Sequence, residues 1–342
     1  MVSLTLPQEV AFGAVIGFTL VLVLIGVLKK VFEGDNATGI FIGAMFLAGV
    51  MVLFTLLSAL KWPGQSNSCI NSNPDGCYCE NAGSAALTQP GLIKQPINTL
   101  SAFAPSIAGL LILGMIDSDH RAGKRRENVP NLMVGRTTFS ITYGLVVIFL
   151  GPGSMFFHAS IGHFYSELDP LSMTLFTTFI ILYDIFVLTG IADARILRGR
   201  MIATPFDHFL GIWLFTNFIF YVLMVAFPDG GLGTAIFGIT VGIAVVMQIF
   251  ILLTRGNINR EWDFMGIALL CFLLAIFIWH WSKTGAPICR PDDMMQGHAL
   301  WHVLAMAMAP FFIFKYFRTE RWGTLPPPTT PTTPPNRPTP TR

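Results

Sequence analysis

Apolar positions run along this chain in long unbroken stretches, interrupted at intervals by short polar clusters. The pattern has neither the strict alternation of a half-buried strand nor the narrow apolar stripe of a soluble helix. Stretches of about 20 residues are long enough to cross the hydrocarbon core of a bilayer as helices. Nine reach that length, at roughly 9–29, 38–60, 99–116, 136–158, 171–192, 207–227, 233–254, 263–282 and 298–316. The pattern therefore predicts an all-α integral membrane protein with nine spans. The first stretch has no basic residue before it and no small-residue cleavage signal after it, so it reads as a retained anchor.

Composition agrees: 53% of the 342 residues are hydrophobic and 12% charged, against about twice that charged fraction in soluble domains. The net charge of +2 says little, but its distribution is informative. Lys29 and Lys30 follow the first span, and Arg121, Lys124, Arg125 and Arg126 the third. Arg195, Arg198 and Arg200 follow the fifth, Arg255 and Arg260 the seventh, and Arg318 and Arg321 the ninth, while the intervening loops are poor in Lys and Arg. The positive-inside rule then places the N-terminus outside and the C-terminus in the cytoplasm. Cys69, Cys77, Cys79 and Cys289 all fall in loops assigned outside, where disulfides persist. Those four allow three pairings, and Cys271 reads as a buried apolar residue. The segment 326–342 is Pro/Thr-rich and cannot bury a core, so it reads as a disordered tail. No basic patch interleaved with aromatics points to nucleic acid.

Two residue pairs four apart, Ser154/His158 and His298/His302, sit at the ends of apolar stretches, each pair on one helix face. The topology puts them at one depth near the outer face, with Asp169 at the head of the fifth span. Ionisable groups at membrane depth mark function. Three imidazoles leave the fourth position of a zinc ion open, the arrangement of catalytic centres that activate water near neutral pH. Asp169 is placed to act as base and proton donor, and Ser154 to hydrogen-bond the metal water or steady an oxyanion. Gly151, Pro152 and Gly153 loosen the helix just before Ser154, which lets a neighbouring helix approach closely or frees a carbonyl in a cavity. Asp184 is an intramembrane carboxylate away from that level, read as paired with a helix-bound partner, with a functional role as the alternative.

These residues resemble the signature of the alkaline ceramidases, within the superfamily of the progestin/adiponectin receptors and GPI-lipid remodelling hydrolases. The resemblance rests on Gly151-Pro-Gly153-Ser154-Met-Phe-Phe-His158, on Asp169 eleven residues later, and on His298-Ala-Leu-Trp301-His302. It implies that His158, His298 and His302 bind zinc and that Ser154 and Asp169 are catalytic. It also implies a seven-helix core over residues 99–318, with residues 1–62 adding two helices, 63–98 an exoplasmic cysteine-containing loop and 319–342 the tail. Tyr78-Cys79-Glu80-Asn81 and Asn98-Thr99 are similar to family stretches around the first helix, which implies a Cys79–Cys289 disulfide and leaves Cys69 and Cys77. The family's calcium site lies near there, but its Asp position reads Cys77 and its later Glu reads Gln95. Glu80 and Asn81 alone supply few oxygens for an ion that takes six to eight. The family's Trp-x-x-Asp reads Trp279-His-Trp-Ser282.

The expectation is a zinc-dependent intramembrane amidohydrolase cleaving a ceramide-like lipid to a fatty acid and a sphingoid-like base. The alternatives are a zinc-dependent phospholipid ester hydrolase and a lipid receptor with structural zinc. The membrane would be the plasma membrane in a bacterium and an endomembrane otherwise, with the site near the exoplasmic face.

Overall fold

The computed structural model describes residues 26–31, 33–65, 78–81, 91–124, 131–189, 205–227, 231–254 and 258–322, together with Thr19, Val23 and Leu24. Among these are eight helices long and apolar enough to span a membrane: α1 Gly34–Ala59, α2 Pro96–Arg121, α3 Thr138–Ser160, α4 Leu168–Leu188, α5 His208–Ala226, α6 Leu232–Thr254, α7 Trp262–Trp281 and α8 Gly297–Arg318. Most of the apolar stretch at 9–29 lies outside the described residues, as do Cys69, Cys77 and the Pro/Thr-rich tail.

The most buried helix is α3, packed between α2 and α4. It starts at a capping box, in which the Thr137 hydroxyl accepts from the Ser140 N–H and the Ser140 hydroxyl accepts from the Thr137 N–H. It continues through Pro152, which lacks the N–H that would meet the Ile148 carbonyl. The Ser106 hydroxyl of α2 donates to that carbonyl instead, at 3.0 Å. Gly151 makes room for this, since a Cβ there would strike Ser106 Oγ and the Ala102 carbonyl. On the other flank a Gly153 Cβ would lie 2.6 Å from Ser172 Cβ and 2.8 Å from the Leu168 carbonyl. The Gly-Pro-Gly step thus brings α2 and α4 against one turn of α3.

Helix α1 is part of the same body. Asp117 near the end of α2 accepts from the Gly39 and Ile40 amides, both at 2.9 Å, and pairs with Arg136 at 2.8 Å. A carboxylate at a helix N-terminus satisfies the orphan amides there, so α1 runs antiparallel to α2. Leu47, Met51, Phe54 and Trp62 then bury against Phe103, Met155 and Phe156. On the opposite flank, α5, α6 and α7 present Phe215, Phe218, Val246, Leu253, Leu270 and Phe277 outward. A band of large apolar side chains of this kind belongs against lipid.

The two ends of the bundle differ. At one end the basic residues neutralise carboxylates, Arg318 and Lys124 on Asp119 and Arg136 on Asp117. Deeper at that end, fully buried Arg260 pairs with Asp184 at 2.8 Å and with Glu320 at 2.6 Å. Gln248 of α6 also donates to Asp184. Asp184 therefore has its partner in the α6–α7 connection as well as on a helix. A two-residue antiparallel strand pair, Ile258–Asn259 with Arg321–Trp322, holds that connection to the end of α8. The other end carries the Cys79–Cys289 disulfide and a bridge between Tyr78 and Lys283. Cys271 is a buried free thiol.

Candidate active site

The disulfide end also gathers the residues singled out by spacing. Ser154 and His158 come from the last turns of α3, Asp169 from the first turn of α4, and His298 and His302 from the start of α8. His158 Nε2 and His298 Nε2 are 3.0 Å apart, and ligand atoms of all three histidines lie within 4.8 Å of one another. All three are buried. Ser154 Oγ is 3.0 Å from His302 Nε2 and within hydrogen-bonding reach of Asp169. Asp169 is buried and its Oδ1 has no hydrogen-bond partner among the described residues. A buried carboxylate oxygen left open costs free energy unless something else meets it.

Two imidazoles are oriented by groups that spacing did not reveal. His158 Nδ1 lies 2.6 Å from Gln95 Oε1 and His302 Nδ1 lies 2.7 Å from Ser101 Oγ. The Ser101 hydroxyl donates its proton to the Asn98 carbonyl at 3.0 Å, so it accepts from His302. With protons held at Nδ1, both Nε2 lone pairs face the common centre, the geometry by which outer groups orient metal ligands. Tyr78 covers His298, with ring centroids 3.7 Å apart, and burial raises its phenol above the ordinary range. No sequence spacing links residues 78, 95 and 101 to the histidines. The family resemblance touched residues 78 and 95 but gave neither this part.

From His302 onward, α8 widens into a π-helical segment, His302–Met308, ahead of Pro310. Such bulges accompany functional sites. Here the bulge begins at the second histidine of α8. Gly297 packs on Ser282, where a Cβ would strike the serine side chain, so position 282 serves helix packing in this chain.

An apolar cavity of about 110 Å³ begins one turn inward of these residues. Its walls include Leu150, four before Ser154, Met173, four after Asp169, and Trp301 and Ala305 beside His302. Phe237 and Phe272 close its side toward α6 and α7, and Gln248 marks its far end.

Three neutral imidazoles converging on one point are a donor set that suits zinc, and the residues present fit such an ion. Calcium is a different matter. Both Glu80 carboxylate oxygens accept backbone amides, from Ile97 at 2.6 Å and Asn98 at 2.8 Å. Burial pushes that carboxyl up to about 7. The Gln95 amide NH2 faces the Tyr78 and Glu80 carbonyls, each at 3.3 Å, so donor hydrogens already meet those oxygens. The described residues of this segment do not fit a calcium site.

A multi-helix integral membrane protein with a buried histidine triad beside an apolar cavity is what fold and site define. The Ceramidase family model matches residues 92–325, the stretch from α2 through α8. The chain belongs to the Ceramidase family. Membership implies a ceramide-type amide hydrolase acting on a membrane lipid. Comparison with curated proteins gave no match.

Proposed function

We propose that the protein is a zinc-dependent intramembrane amidohydrolase that cleaves a ceramide-like lipid to a fatty acid and a sphingoid-like base. The observation that carries this reading is the convergence of His158, His298 and His302 with Ser154 and Asp169, one helical turn above an apolar cavity.

Zinc bound by the three imidazoles would supply a Lewis acid and a water activated near neutral pH. The remaining work belongs to the chain. The lipid enters laterally from the bilayer and lays one hydrocarbon chain in the cavity walled by Leu150, Met173 and Trp301. That places the amide at the level of Ser154 and Asp169. Ser154 donates a hydrogen bond to the oxygen that gains charge in the tetrahedral intermediate. Asp169 takes a proton as attack proceeds and returns it to the departing amine, which leaves as the neutral base. Burial among α3, α4 and α8 keeps bulk water from the reacting groups and strengthens each of these interactions.

The site faces the exoplasmic side. Supporting this, the Cys79–Cys289 disulfide sits at its end of the bundle, and disulfides persist in oxidising spaces. Arg136, Arg260 and Arg318 sit at the other end.

Asp169→Asn separates chemistry from metal binding. The variant keeps shape and cannot take the proton, so fatty-acid release from ceramide in detergent falls by about 10²–10⁴-fold while zinc per chain stays at the wild-type value. Turnover at the wild-type rate would remove Asp169 from the mechanism.

A further inference from the structure

Gln95 stands just ahead of α2 and is almost completely buried. It meets His158 twice. Its backbone N–H donates to the His158 carbonyl at 3.1 Å, and its side-chain Oε1 lies 2.6 Å from His158 Nδ1. The carbonyl is one of those that the end of α3 leaves without an intrahelical partner.

The orientation of the Gln95 amide is forced. On one side are the Tyr78 and Glu80 carbonyl oxygens, both at 3.3 Å, which can only accept. The NH2 must face them, so Oε1 must face the imidazole. Oε1 cannot donate, so His158 carries its proton on Nδ1 and turns an Nε2 lone pair toward His298 and His302. Asn98 Nδ2, 3.4 Å away, donates to the same oxygen and holds it there.

The carbonyls that fix the amide are themselves fixed. Tyr78 O also accepts from the Thr284 hydroxyl at 3.2 Å, and Asn81 N–H donates to the Pro291 carbonyl at 3.0 Å. Cys79 is bonded to Cys289. The chain of contacts therefore runs from the loop between α7 and α8, through residues 78–81, to one side-chain amide and then to His158.

Building on the zinc reading, we infer that Gln95 is a positioning residue: it locks His158 in the tautomer that can bind the metal and couples that lock to the disulfide-anchored segment. Gln95 makes this link through its neutral side-chain amide.

Zinc release tests this on purified full-length protein in detergent, below the melting temperature and with the disulfide intact. Release into excess chelator is followed by metal analysis. Gln95→Met keeps the volume and removes the acceptor. It releases zinc about 10–100-fold faster than wild type, the usual effect of losing an outer partner of a ligand. Gln95→Glu, assayed at a pH low enough to protonate the oxygen that faces the Tyr78 and Glu80 carbonyls, keeps an oxygen facing His158 and releases zinc far more slowly than Gln95→Met at that pH. A merely structural residue would lower the melting temperature in both variants and leave release unchanged, which overturns the inference. Equal acceleration in both variants also overturns it. The 15N spectrum of histidine-labelled wild type needs no variant: His158 protonated at Nδ1 is expected, and protonation at Nε2 contradicts the tautomer assignment. Wild type that binds no zinc defeats the zinc reading itself, a result distinct from zinc held equally well by wild type and Gln95→Met.

Discussion

At the scale of single residues, the triad is legible because α-helices place residues four apart on one face. Ser154, His158, His298 and His302 carry that spacing, and the structure brings them together. The groups that orient them carry no such mark. Ser101 is 201 positions from the histidine it meets and Gln95 is 63 from its own. Contacts of that range follow from packing, which local patterns do not encode. Ser101 offers a clean test because its hydroxyl already donates to Asn98 O and only its lone pair serves His302. Ser101→Ala leaves His302 Nδ1 unpartnered and weakens zinc affinity by about tenfold, measured by competition with a calibrated chelator. Unchanged affinity would mean that His302 is held by its helix alone.

At the scale of elements, the Gly-Pro-Gly step was readable as a place of close approach or of a freed carbonyl, and the structure shows close approach on both flanks and the Ile148 carbonyl freed for Ser106. Which helices approach was not readable, because glycine announces space without naming its occupant. Ser106 replaces the hydrogen bond that Pro152 removes, and the Gly153 contact sets the spacing of α3 to α4. That spacing also sets the distance from Ser154 to Asp169. Gly153→Ala puts a Cβ within 2.6 Å of Ser172 Cβ, so α4 must move. Displacement by about 1 Å can cost on the order of 10²-fold in rate. Turnover therefore falls by about that factor while zinc content holds, since no ligand lies on α4. Gly238→Ala, where nothing lies within 4 Å, is the matched control and leaves turnover unchanged.

At the scale of the whole molecule, composition and charge made the class plain: apolar helices spanning a membrane. The hydropathy pattern did not show that α1 packs into the core, because an apolar helix against protein looks like one against lipid. The buried charge cluster was half visible. Asp184 stood out as costly, but its pairing with Arg260 depends on how the α6–α7 connection folds back against Glu320. Removing one partner of a buried pair leaves an uncompensated charge and costs about 3–5 kcal/mol. Arg260→Met accordingly lowers the melting temperature in detergent, and zinc bound per folded chain is unchanged because the cluster lies at the far end of the cavity from the histidines. A melting curve like that of wild type would show that the cluster contributes little. Every proposed step depends on the histidine triad holding zinc for amide hydrolysis. The most direct test is zinc per chain in purified protein, measured with fatty-acid release from ceramide. Wild type is expected to hold about one zinc per chain and to release fatty acid, with both lost in the His158→Ala, His298→Ala, His302→Ala triple variant. Zinc no higher in wild type than in that variant, or full zinc with no release from ceramide, would contradict this reading.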